Sequence, residues 1–290
     1  MEFVVTFLRI LVPLGLTAKG ELVGERAGIL NLGIEGNMLL GAFIGWFFAQ
    51  VGGSITIGFM ASAIAGIFAG LVFWILIDLL ESSHQVVGLA LGFISSGVAL
   101  TLFRVVPEKF KETSINVGGL EGTILALIAI LTIGGMIILH FMFSKTRVGL
   151  RLEAIGQSLR SADLLGVQIR LYRLSCCMIA TMLHFLGGAL LSIVVARTFT
   201  IGIVSGRGWI AMCLVILAQW RPLGLAVVLA IWSGLEIAQL SGQASGMRIP
   251  YQFLLMLPYL GSIAIVIWLI ATKRAPKMLL VNYKRNEDAA

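Results

Sequence analysis

The chain is 290 residues long, 59% hydrophobic and 12% charged, where soluble domains carry about 25% charged and about 45–50% apolar residues. With a mean hydropathy of +1.01, these figures exclude a soluble enzyme, a disordered chain and a secreted disulfide scaffold, and they put the protein in a lipid bilayer. The net charge of +7 is concentrated: residues 145–173 hold six basic and two acidic side chains, the tail 273–290 five and two, and the remainder is balanced at ten of each. That is the positive-inside signature of cytoplasmic segments, and it argues against nucleic acid as a partner.

A helix needs about 20 mainly apolar residues to cross a hydrocarbon core about 30 Å thick. In chain order, such runs fall near 3–17, 28–49, 54–77, 85–106, 121–143, 171–196, 207–220, 223–241 and 251–272. The expectation is an all-α polytopic membrane protein with about nine helices, within a range of eight to ten. None of the runs alternates with the period of two that a β-barrel strand requires. Residues 1–272 form one transmembrane domain, with a cytoplasmic loop at 144–170 and a basic cytoplasmic tail at 273–290. Counting back from the basic segments puts 18–27 and 78–84 inside, 107–120, 197–206 and 242–250 outside, and the N-terminus outside. The first run is read as a short or interfacial helix and not a cleavable signal, because Glu2 precedes it and Arg9 interrupts it.

Ionisable side chains at membrane depth are costly, so each one raises a functional question. Between Gly28 and Ile77 only Glu35 is ionisable, within a glycine-rich stretch that also holds Asn31 and Asn37. This pattern suggests a broken or closely packed helix. Two readings stay open: Glu35 lines a translocation path, or it caps or pairs structurally near a helix end. Ser95, Ser96 and Trp209 join Asn31, Glu35 and Asn37 as candidate path residues. Gly58, Ser62, Gly66 and Gly70 form one small-residue row, the kind that lets helices approach closely in lipid; packing within the bundle and a dimer face are the alternatives. Glu236 is placed to pair with Arg207 or Arg248. His140 and His184, which have no carboxylate one turn away, are read as packing or interfacial residues. Cys176, Cys177 and Cys213 sit in apolar runs without metal or redox spacing. No catalytic cluster and no metal site is expected.

Two absences bear on the energy source. The spans are nearly bare of charge, whereas proton- or sodium-driven transporters use intramembrane acids or ion sites. No phosphate-binding loop of the G-x-x-x-x-G-K-[ST] type occurs, and no water-facing segment is long enough to form a nucleotide-binding domain. Any ATP use would therefore have to come from another chain. In the loop 144–170, Leu159, Ala162, Leu165 and Gly166 lie at helical spacing, and Ser158 or Ser161 can cap a short helix that contains Asp163. That helix either lies on the bilayer surface or docks a cytoplasmic partner.

Within this loop, Glu153-Ala154-x-Gly156 and Ser161–Gly166 resemble the coupling loop of the integral permease subunits of bacterial ABC importers. The stretch Gly24–Ala42 (GERAGILNLGIEGNMLLGA), the segment Gly187–Ile193 (GGALLSI) and Ile249–Leu260 (IPYQFLLMLPYL) are similar to the branched-chain amino acid/ribose permease family, and best match its nucleoside and simple-sugar branch. The resemblance covers about residues 20–272. It implies a multi-pass subunit of the bacterial cytoplasmic membrane that forms half of a translocation path. Its implied partners are an ATP-binding cassette subunit, a second, paralogous permease and an extracytoplasmic substrate-binding protein, all in a setting of membrane lipid. Carried over, Glu153, Ala154, Gly156, Ser161, Ala162, Asp163, Leu164 and Gly166 would make or shape the ATPase contact. The loop departs from the family pattern by Ile155 after Glu153-Ala154 and by the bulky pair Leu164-Leu165. Nucleosides are the expected substrate, with riboflavin or a simple sugar as alternatives. An ion-coupled secondary transporter is the reading from a different class.

Overall fold

The computed structural model describes residues 2–115 and 121–244, and among these every regular element is helical. The helices are α1 (Glu2–Arg26), α2 (Ile34–Val51), α3 (Ile55–Trp74), α4 (His84–Val105), α5 (Glu108–Glu112), α6 (Glu121–Lys145), α7 (Arg147–Gln157), α8 (Leu159–Leu164), α9 (Ile169–Leu190), α10 (Arg207–Leu217) and α11 (Pro222–Ala244). Two of them run on into a π-helical turn, α3 through Ile75–Leu79 and α9 through Leu191–Val195. Seven helices among the described residues are long and apolar enough to cross a membrane, and α10 is a shorter apolar helix. They correspond to eight of the nine expected segments; the ninth, 251–272, lies outside the described residues together with Ile249–Leu260 and the basic tail.

The expected boundaries change at two places. α1 does not end near residue 17 but continues to Arg26, so 18–27 is helix and not a connecting loop. α2 starts at Ile34 and not at residue 28. Between the two, Gly28 takes φ +76°, and Asn31 Oδ1 accepts the Gly33 N–H at 2.9 Å. A left-handed glycine followed by an Asn-closed turn stops one helix and starts the next. The stretch is therefore a turn between two separate helices and not a break within one, and of its two readings the close packing holds: a Cβ at Gly36 or Gly41 would fall on the backbone of Gly92 or Phe185.

The centre of the bundle is α9, whose apolar window is 67% buried within the protein and which packs on α1, α2 and α3. The approach is close because the facing residues are small. A Cβ at Gly188 of α9 would fall on the Met38 carbonyl oxygen of α2, and one at Gly41 would fall on the Phe185 backbone. The small-residue row of α3 is used in the same way. Gly58, Ser62, Gly66 and Gly70 are all buried, and Ser62 Oγ donates to the carbonyls of Gly41 and Phe185. The row is a packing face within the chain. The opposite face of α3 presents Met60, Ile64 and Phe68 outward, and α4 and α6 likewise expose Phe93 and Ile130.

Residues 196–206 do not form the expected external loop. Phe199 is buried against Phe43, Trp46 and Phe103, and Gly206 reaches Glu35 in the first turn of α2. The segment therefore runs back along α2 as irregular backbone, and α10 continues in the same direction to Trp220, which meets Glu25 at the end of α1. At about 16 Å for eleven residues, α10 spans roughly half of a hydrocarbon core.

Candidate functional site

The stretch between α6 and α9 forms two helices, not one. Thr146 caps α7 by accepting the Gly149 N–H at 3.2 Å. Ser158 caps α8 by accepting the Ser161 N–H, as the loop's capping pattern suggested. α8 ends in a reciprocal pair of bonds, Gly166 N–H to the Asp163 carbonyl and Val167 N–H to the Ala162 carbonyl, with Gly166 at φ +72°. This is a Schellman closure, which favours glycine at that position.

The α7–α8 hairpin carries its own small core of Ile155, Leu159, Ala162 and Ile169, with Ala154, Val167 and Tyr172 packed against it. Of the eight residues assigned to this surface, the structure turns Ala162 and Gly156 inward, half-buries Ala154, and exposes Glu153, Ser161, Asp163, Leu164 and Gly166. Leu165 is exposed as well. Leu164 and Leu165 stand 80% and 77% exposed at the tip, a paired apolar surface on a rigid, capped support. A cleft of about 420 Å³ lined by Arg151, Gly166, Gln168, Tyr172 and Ser175 lies beside it, with Arg151 donating to the Tyr172 hydroxyl at 2.9 Å.

The hairpin is anchored firmly. A Cβ at Gly149 would fall on the Met142 carbonyl and the Phe143 backbone of α6. Leu152 enters the main hydrophobic core with Phe143, Leu22 and Trp220. Movement of α8 would thus carry α7 and the adjoining ends of α1 and α6 with it.

Glu35 is half-buried and reaches across to the N-terminus of α10. Its Oε1 accepts the Gly206 N–H at 2.7 Å and its Oε2 the Gly208 N–H at 2.9 Å. A carboxylate at a helix N-terminus meets unpaired amides and the positive end of the dipole. The structural reading of Glu35 therefore fits, although the helix it caps is not its own. Glu35→Gln keeps one acceptor but turns an NH₂ toward the second amide. It is expected to destabilise the protein by about 1–2 kcal/mol, read as a lower melting midpoint in detergent; an unchanged midpoint would show that α10 does not depend on this cap.

The other path candidates are dispersed. Asn31 is buried in the turn before α2, Asn37 and Ser95 are buried in the bundle, Ser96 is half-buried, and Trp209 is 40% exposed. Glu236 approaches Arg207, with 3.7 Å between Arg207 Nη2 and Glu236 Oε1.

The expectation of spans nearly bare of charge is corrected at two clusters. Glu21, Glu25 and His184 are buried, with His184 Nε2 3.4 Å from Glu21 Oε2. Arg173 and Asp78, both fully buried, pair at 2.8 Å. Glu21 and Glu25 lie one turn apart on α1, but the pairings with His184 and between Arg173 and Asp78 join different elements, so no spacing within one helix shows them. Among the described residues, no group of three or more His, Cys, Asp or Glu side chains is placed to hold a metal ion.

Comparison with known proteins bears on the whole chain. Residues 3–271 match the family model described as the branched-chain amino acid transport system permease component. The chain belongs to this permease family. Among curated relatives, the nucleoside ABC transporter permease protein NupC of Lactococcus lactis subsp. cremoris is 28% identical, over 95% of this chain and 94% of that one. The guanosine ABC transporter permease protein NupQ of Bacillus subtilis is also 28% identical, over 93% and 92%. The putative glucose ABC transporter permease protein TsgC13 of Haloferax volcanii is 28% identical over 94% of each chain. No solved structure matches at a significant level. As a permease with seven long apolar helices among its described residues, the chain is an integral membrane protein.

Proposed function

We propose that this chain is the permease subunit of an ATP-driven importer for nucleosides and that it forms half of the translocation path in the bacterial inner membrane. The observation that carries this reading is near full-length similarity to the nucleoside and guanosine permeases. The α7–α8 hairpin and the basic tail face the cytoplasm, in keeping with the clustering of basic residues there. The hairpin docks an ATP-binding cassette subunit, which binds ATP and magnesium. Leu164 and Leu165 form the apolar centre of the contact, Glu153, Ser161 and Asp163 its polar rim, and Ala154, Gly156, Ala162 and Gly166 the frame that shapes it. A second, paralogous permease completes the path, and an extracytoplasmic binding protein delivers the substrate. Asn31, Glu35, Asn37, Ser95, Ser96 and Trp209 are the polar and aromatic residues through which the path would run, and Glu35 also organises α10.

A simple sugar is the second reading, favoured by the Haloferax relative. The test is purification of the chain from its native membrane in mild detergent, with co-purifying chains identified by mass spectrometry, followed by uptake of labelled guanosine and glucose into proteoliposomes. Co-purification of an ATPase with ATP-dependent guanosine uptake supports the proposal; glucose uptake without guanosine uptake moves the assignment to sugars. Uptake that persists without ATP and collapses with the ion gradient would replace the importer reading with a secondary transporter.

A further inference from the structure

α10 is held at both ends by groups from other helices. At its N-terminus the Glu35 carboxylate accepts the Gly206 and Gly208 amides at 2.7 and 2.9 Å. Just beyond its C-terminus, Trp220 Nε1 donates to Glu25 Oε2, and Arg26 Nε donates to the Trp220 carbonyl at 3.0 Å. The Arg26 guanidinium also lies 5.0 Å from the centre of the Phe143 ring, at the point where α6 meets α7. One end of α10 is therefore joined to the hairpin, through Arg26, Phe143 and the buried Leu152. The other end is joined to the first turn of α2.

We propose that Arg26 and Trp220 are positioning residues that pass movement of the α7–α8 hairpin along α10 to Glu35 and the inner end of α2. The inference rests on the hairpin being the ATPase dock. An α-helix of eleven residues is stiff over its length of about 16 Å, so displacement at Trp220 reaches Gly206 with little loss. The end contacts are directional hydrogen bonds, whereas apolar packing alone lets helices slide. Trp220 Nε1 and Glu25 Oε2 meet in the buried interior, and separating them would leave buried polar groups unpaired at a cost. Packed interfaces of this kind switch between discrete arrangements and do not deform continuously.

The test uses the complete importer, this chain with its partner permease, ATPase and binding protein, in proteoliposomes. Trp220→Phe keeps the ring and removes the N–H; Arg26→Lys keeps the charge and removes the planar contact with Trp220 and Phe143. ATP hydrolysis and substrate uptake are measured together. The nucleotide-dependent distance between spin labels at Gln157→Cys and Ser205→Cys is followed in a Cys213→Ser background. With a coupling free energy of ordinary size, hydrolysis stays within about twofold while uptake per ATP falls by about fivefold or more, and the nucleotide-dependent distance change shrinks. If Trp220→Phe does not assemble, Arg26→Lys carries the test. Unchanged uptake per ATP, or equal loss of hydrolysis and uptake, overturns the relay. A wild-type chain that binds no ATPase overturns the importer reading itself, so the two failures are distinct.

Discussion

Replacing Leu164 and Leu165 together by aspartate is expected to abolish ATP-driven uptake while leaving the chain inserted and folded. The two side chains are the most exposed apolar groups of the hairpin, at 80% and 77%, and neither belongs to the small core of Ile155, Leu159, Ala162 and Ile169 that holds α8 in place. Fully burying a leucine against a partner is worth about 1.5–3 kcal/mol. Losing both, at about 1.4 kcal/mol per decade, weakens ATPase binding by about a hundredfold or more. The added carboxylates would also have to be desolvated in the same contact. Co-purification of the ATPase with the variant, compared with wild type, reads this directly. A double variant that still captures the ATPase and still imports would show that the dock lies elsewhere. Gly166→Val should give a related result by a different cause, because a β-branched residue at φ +72° costs about 1–2 kcal/mol and disturbs the closure of α8.

The second large effect concerns Arg173 and Asp78. Both are fully buried, and the pair closes at 2.8 Å, with Arg173 Nε also directed at the Ala27 carbonyl at 3.4 Å. Removing one partner of a buried pair leaves an uncompensated charge and costs about 3–5 kcal/mol, whereas replacing both by apolar groups of similar size is often neutral or stabilising. Arg173→Met alone is therefore expected to accumulate poorly and to melt well below wild type in detergent. Arg173→Met combined with Asp78→Leu should recover most of the loss, the remainder reflecting the Ala27 carbonyl. Size-exclusion profiles and melting midpoints of the parent and the two variants make the comparison. An Arg173→Met variant as stable as the parent would mean that water or lipid headgroups reach the pair.

Much of this fold is legible in hydropathy, because each long span is an apolar run that needs no knowledge of its neighbours. The Ser158 cap and the small-residue row of α3 are legible for the same reason: their meaning is set by local spacing. What stayed hidden depends on contacts between helices. Lys19, Glu21, Glu25 and Arg26 read as the start of a loop, yet α1 continues through them, since His184 and Trp220, far along the chain, meet the two acids. Asp78 and Arg173 are 95 residues apart, beyond any periodicity. The proposed docking surface shows the same division. The place of the loop 144–170 and its short capped helix are visible in the sequence. Which of its residues face inward is not, and neither α7 nor the inward turn of Ala162 and Gly156 follows from spacing alone.

The irregular backbone of 196–206 has a consequence for the lipid around the protein. It runs beside α2, from the level of Phe43 and Trp46 to that of Glu35, and Ile201, Gly202 and Ser205 are exposed along it. Hydrocarbon chains cannot satisfy peptide groups that lack helical partners, so such backbone is tolerated at membrane depth only against protein or water. Among the described residues nothing covers Ile201, Gly202 or Ser205. Acyl chains therefore cannot lie directly against that strip, which must face further protein or a column of water.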